Sequence, residues 1–125
     1  MSAVHHPFLG FAEEFRAKDK PYMAPEQFAA ALHIQLQDLA RLAGVHRTTL
    51  ADNPSNSRLQ GYLRDSLKAL NAAYALSGDR NRAIYWFRNV PVPEYDHRTA
   101  EELVAAGRVD TVLAHIGQLQ SGSSG

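Results

Sequence analysis

Apolar residues recur at intervals of three and four along most of the chain, and period-2 alternation is confined to residues 89 to 95, so the pattern predicts an all-α protein. Phe8, Phe11 and Phe15 predict a short amphipathic first helix that ends in the polar break Lys18-Asp19-Lys20-Pro21. Pro25, suited to a first-turn position, opens a second helix with Phe28 and Leu32 on one face, running to Leu32 or Ile34. A third spans Leu36 to Ala43 and stops at Gly44; a fourth begins after Val45. Leu59, Tyr62, Leu63, Leu67, Leu70, Ala73 and Tyr74 form the longest apolar stripe, a scaffold helix with Ser55 or Ser57 as N-cap and Gly78 as stop.

Beyond Gly78 the pattern changes. Asp79 can cap a helix that includes Ile84 to Phe87, and Pro91 and Pro93 then force extended backbone over Asn89 to Tyr95. Thr99-Ala100-Glu101-Glu102 has capping-box spacing and restarts a helix to Gly107. Val109, Val112, Leu113, Ile116 and Leu119 line a last helix. Tyr85, Trp86 and Phe87 are neighbours about 100° apart on a helix, so they cannot share one face. Composition alone favours Trp86 in the core over Trp86 as an interface anchor. The organisation expected is an N-terminal helical extension (1–24), a helix-turn-helix domain with its scaffold helix (25–78), a C-terminal module (79–120) and a flexible Gly/Ser tail (121–125).

Charge adds little. Thirteen basic and thirteen acidic residues cancel, so no global field draws the chain to nucleic acid or to an anionic membrane. Residues 26 to 82 hold seven cations and five anions, residues 83 to 125 three and five. Without cysteine there is no disulfide, thiolate zinc site or thiol nucleophile. No apolar run approaches the roughly twenty residues that span a bilayer, and a soluble, cytoplasmic protein is expected.

Leu36 to Leu50 carries the first functional signal. Ala40 lets two helices cross closely, Gly44 turns the chain, and Val45 and Leu50 can pack the second helix onto Leu39. Arg47, Thr48 and Thr49 then fall early on the second helix, with Arg41 and His46 beside them, where helix-turn-helix proteins meet bases and phosphates. The competing reading is a hairpin used only for packing. Asn53-Pro54 keeps the second helix short, and Asp52 is unfavourable near phosphate. The six histidines lack supportive metal-ligand spacing, and there is no phosphate loop or serine-nucleophile motif. Asp79, Glu94, Asp96, Glu101 and Glu102 read as caps and solvated positions, so no metal, cofactor or enzymatic chemistry is expected.

Three blocks carry a resemblance: Ala83 to Asn89, Arg98 to Val104, and Gly107 to Leu113. Together they resemble the toxin-binding domain of the Xre/MbcA/ParS antitoxin family, the partners of RES-domain toxins, and Leu36 to Leu50 resembles the Xre-type helix-turn-helix that the family places upstream. The likeness covers residues 26 to 120 in the expected order. Trp86, Thr99, Leu103, Gly107, Val112 and Leu113 match the family pattern, whereas Ala100 stands where the family often has Pro. The resemblance implies a type II antitoxin that neutralises an NAD-degrading RES toxin by covering its active-site cleft, and that dimerises and represses its own operon. It implies toxin-binding roles for Trp86, Arg88, Asn89, Tyr95, Arg98 and Arg108, with Trp86 bracing the extended loop. A stand-alone DNA-binding repressor is the alternative.

Overall fold

The computed structural model describes residues 7–123. Among these residues eight α-helices and one two-strand hairpin account for the regular structure: α1 (Phe11–Glu14), α2 (Pro25–Leu32), α3 (Leu36–Ala43), α4 (Arg47–Asp52), α5 (Ser57–Ser77), α6 (Arg80–Asn89), β1 (Pro91–Val92), β2 (Arg98–Thr99), α7 (Ala100–Ala105) and α8 (Val109–Ser123). The all-α expectation holds. The strands pair antiparallel, Pro91 opposite Thr99 and Val92 opposite Arg98.

Local chemistry explains most boundaries. Gly44 and Gly78 end α3 and α5 in the left-handed region, φ 73° and 70°, where a Cβ would be strained. Asp79 caps α6 by accepting the Arg82 N–H at 2.9 Å. Thr99 and Glu102 complete a reciprocal capping box, Glu102 N–H to Thr99 Oγ1 at 3.1 Å and Thr99 N–H to Glu102 Oε1 at 2.9 Å.

Four details differ from the sequence reading. The first helix is a single turn, because Gly10 (φ 106°) breaks the chain ahead of Phe11; Phe8 lies outside it and reaches Phe11 and Tyr74 by edge contacts at 4.9 and 5.0 Å. The scaffold helix is capped by Asn56, whose Oδ1 accepts the Leu59 N–H at 3.0 Å, and Ser57 is its first helical residue. Only Pro91–Val92 is paired and extended; Pro93, with φ fixed near the helical value, opens a 3-10 turn through Tyr95 instead. The last helix runs on through Ser123, three residues into the segment expected as a tail, despite the low helix propensity of Gly122. Residues 124 and 125, like His5 and His6, lie outside the described residues.

Helix α5 is the hub, packing against α1, α3, α6, α7 and α8. One cluster of buried side chains runs from Phe11 through Phe28, Leu39, Leu63 and Leu70 to Phe87, Leu103 and Ile116. Gly78 is thus a helix boundary across which the core continues. Gln60, buried on α5, fastens two loops to this core: its Oε1 accepts Met23 N–H at 3.0 Å, and its Nε2 donates to Met23 O at 2.8 Å and to Pro54 O at 2.7 Å. These bonds satisfy irregular backbone that would otherwise be buried without partners. Phe11, Phe15, Phe28 and Tyr62 form an aromatic chain, with successive centroids 5.6, 5.0 and 6.2 Å apart, that docks the N-terminal segment on α5.

Candidate functional site

The α3–α4 corner has helix-turn-helix connectivity. Leu39 and Leu50 are buried and Val45 packs against their cluster, as the spacing predicted. Arg41, His46, Arg47 and Thr48 are exposed and Thr49 is half-buried. Two of these side chains are already engaged at the start of α4: His46 Nδ1 accepts the Thr48 N–H at 3.3 Å and lies 3.0 Å from Thr48 Oγ1. Arg41 pairs with Asp38 at 3.9 Å on the surface, a contact that contributes little. Arg47 has no ion-pair or hydrogen-bond partner among the described residues. It is the freest group the corner offers.

The C-terminal module spends more of its predicted residues on itself. Arg88 does not point outward. Its Nε donates to Glu101 Oε2 at 3.0 Å and its Nη1 to Leu32 O at 3.1 Å, so one guanidinium joins α6 to α7 and to the end of α2. Glu101, read from sequence as a cap or solvated group, is only 7% exposed; its burial pushes the carboxyl above the usual glutamate range, and Arg88 opposes the shift. Arg88, expected at a contact surface, is thus engaged within the fold: a buried carboxylate needs a cation, and Arg88 supplies it.

Trp86 also turns inward, though not toward the loop it was expected to brace. Its ring lies parallel to His115 of α8, 7° between planes and 6.4 Å between centroids. It lines an apolar groove of about 230 Å³ with Leu76, Ala83, Ile116 and Leu119. The outward aromatic of the triplet is Tyr85, 63% exposed. With Ile84 and Phe87 buried, helical spacing turns both Tyr85 and Trp86 away from that face, and the packing of α8 is what covers Trp86 and leaves Tyr85 exposed.

The remaining predicted groups sit around the hairpin. Arg98 is exposed on β2, and Arg108 lies over the half-buried Tyr95 ring with its Cζ 5.5 Å from the centroid, a cation–π contact. Asn89 is exposed, and its Nδ2 donates to Tyr85 O at 3.2 Å. Tyr95 and Arg108 therefore share one surface contact, while the half-buried Trp86 and Arg88 engage neighbouring helices.

Sequence reading missed two further polar features. Arg80 clasps Glu14 through two hydrogen bonds, Nε to Oε1 at 2.8 Å and Nη2 to Oε2, joining α6 to the end of α1. Tyr62 Oη and Ser66 Oγ, one turn apart on α5, are buried without a partner of good hydrogen-bond geometry. Burial first, and Glu101 second, push the Tyr62 phenol well above its ordinary range. No helix among the described residues is long and apolar enough to cross a membrane.

No known family, curated protein or solved structure matches this chain.

Proposed function

We propose that the chain is the antitoxin of a type II pair: in the cytoplasm it binds a RES-type, NAD-degrading toxin and silences it by covering the active site. In this reading it performs no chemistry and holds no cofactor. Its α3–α4 corner adds a second role, repression of its own operon as a homodimer on operator DNA. The reading is carried by the order of parts on one core: a helix-turn-helix corner, a 21-residue scaffold helix, an aromatic helix, a proline hairpin and a Thr99-capped helix. Asn89, Arg98 and Arg108 are exposed and Tyr95 is half-buried beneath Arg108. In this reading they, rather than Arg88, make the outward contacts with the toxin.

Co-expression with the protein of the adjacent reading frame tests this. The expected result is co-purification and restored growth and NAD level; a Tyr95→Ala, Arg98→Ala double variant should melt like the parent yet rescue poorly. Absence of co-purification and rescue by the unaltered chain overturns the reading. The stand-alone repressor reading is favoured by the unpartnered, exposed Arg47. It requires salt-sensitive binding to a palindromic promoter site without any partner, weakened by Arg47→Ala.

A further inference from the structure

A cleft of about 400 Å³ opens between α3, α5 and α7, with Arg41, Gly44, Arg58, Gly61, Tyr62 and Asp65 among its lining. Two of these residues are placed against the interest of stability. Arg58 stands in the first turn of α5, where the helix dipole disfavours a cation, and that turn has no acidic residue to offset it. It has no ion-pair or hydrogen-bond partner among the described residues. Its side chain instead lies over the helix-turn-helix elbow, with Nη1 3.2 Å from the position a Cβ on Gly44 would take.

Gly61 is the second. Inside a long helix a glycine is markedly less favourable than alanine. Nothing in the fold asks for it: its φ is not positive, and a Cβ there would meet only the Arg64 guanidinium at 3.9 Å. What the missing side chain does is leave α5 backbone bare on the cleft wall, the use glycine has where a ligand must come close.

The charges agree. Arg41 enters from α3, and its Asp38 contact is long and exposed. Asp65, the one carboxylate in the described lining, faces Lys68 at 3.8 Å. Two guanidinium groups from different helices beside uncovered backbone suit a phosphate diester, which Arg recognises through paired N–H donors.

We propose that this cleft seats a backbone phosphate of duplex DNA, held between Arg41 and Arg58 and approaching α5 at Gly61. This rests on the helix-turn-helix reading of α3–α4. Gly44 and Arg47 are three residues apart, at most about 11 Å of chain, so the phosphate seat and the base-facing groups belong to one corner. The clamp would set the position of the duplex and leave sequence discrimination to α4.

Fluorescence anisotropy of the full chain decides the matter, using two labelled duplexes, the promoter region of its own gene and a random sequence of equal length, between 50 and 200 mM KCl. Arg58→Ala and Arg41→Ala should each weaken both duplexes by the same factor. Each should also lose one phosphate's worth of salt dependence, so that the fall in affinity across that range is about 3.5-fold smaller than for the parent. Gly61→Leu fills the cleft without altering charge and favours the helix; it should weaken both duplexes about tenfold with a melting temperature no lower than the parent's. Arg47→Ala should weaken the promoter duplex more than the random one. If the parent binds but Arg58→Ala and Gly61→Leu keep its affinity and salt slope, the clamp is overturned and the helix-turn-helix reading stands. If the parent binds neither duplex, both fall together.

Discussion

Spacing nominated the α3–α4 corner and a family resemblance the α6–α7 module, and the two use their polar residues in different ways. At the corner, Arg47 and Arg58 are exposed cations with no internal partner, and the backbone turn is made by Gly44. In the module, Arg88 holds Glu101 and Leu32, Trp86 stacks on His115, and Arg108 covers Tyr95. A cation in an amphipathic helix is therefore no guide to a contact surface until its internal partner is known. Arg47 is available because no buried carboxylate faces it, whereas Arg88 is committed because Glu101 is inside.

The contrast is broken or sharpened most strongly at Arg88. Arg88→Ala leaves Glu101 without its cation and Leu32 without its donor, and should lower unfolding free energy by about 3 kcal/mol in a urea melt. A loss below about 0.5 kcal/mol would make Arg88 a surface residue like Arg47. Next comes Thr99→Ala, which removes one half of the capping box and should cost about 1 kcal/mol, read by the same melt. Arg47→Ala marks the other end of the scale: stability should change by no more than about 0.5 kcal/mol, since nothing in the fold depends on it.

Acidity gives a subtler separation. Burial raises the Glu101 pKa in the native state, so the folded chain holds that proton more tightly than the unfolded chain. The contribution of Glu101 is therefore fully favourable below the ordinary glutamate value, about 4.3, and is lost as pH rises from there through the native pKa. Comparing the parent with Glu101→Gln by thermal melts from pH 4 to 7, the parent should lose ground relative to the variant as pH rises. A parallel pair of curves would show that Arg88 fully compensates the carboxylate.

What was legible in the sequence follows from the range of the interactions. Gly44, Gly78, Asp79 and the Thr99–Glu102 pair act over at most a few residues, so spacing alone located their helix ends. Asn56 lost out to its serine neighbours because all three are good caps and only the backbone path selects one. Arg88 bonds to residues 13 and 56 positions away, and Gln60 reaches 37 positions to Met23; no local pattern encodes either. Tyr85 and Trp86 are equivalent by helical geometry, and only the packing of His115 from α8, 29 positions beyond Trp86, decides which of the two is covered. The free corner was thus easier to read than the committed module.

The stacking of Trp86 on His115 has a practical corollary. This is the chain's single indole, lodged where α6 meets α8, so its ultraviolet emission reports on one junction alone. A ligand that pries the last helix away would wet the ring and redden that light, while one seated at the distant elbow would leave the colour unchanged. The molecule carries its own lamp for telling its two ends apart.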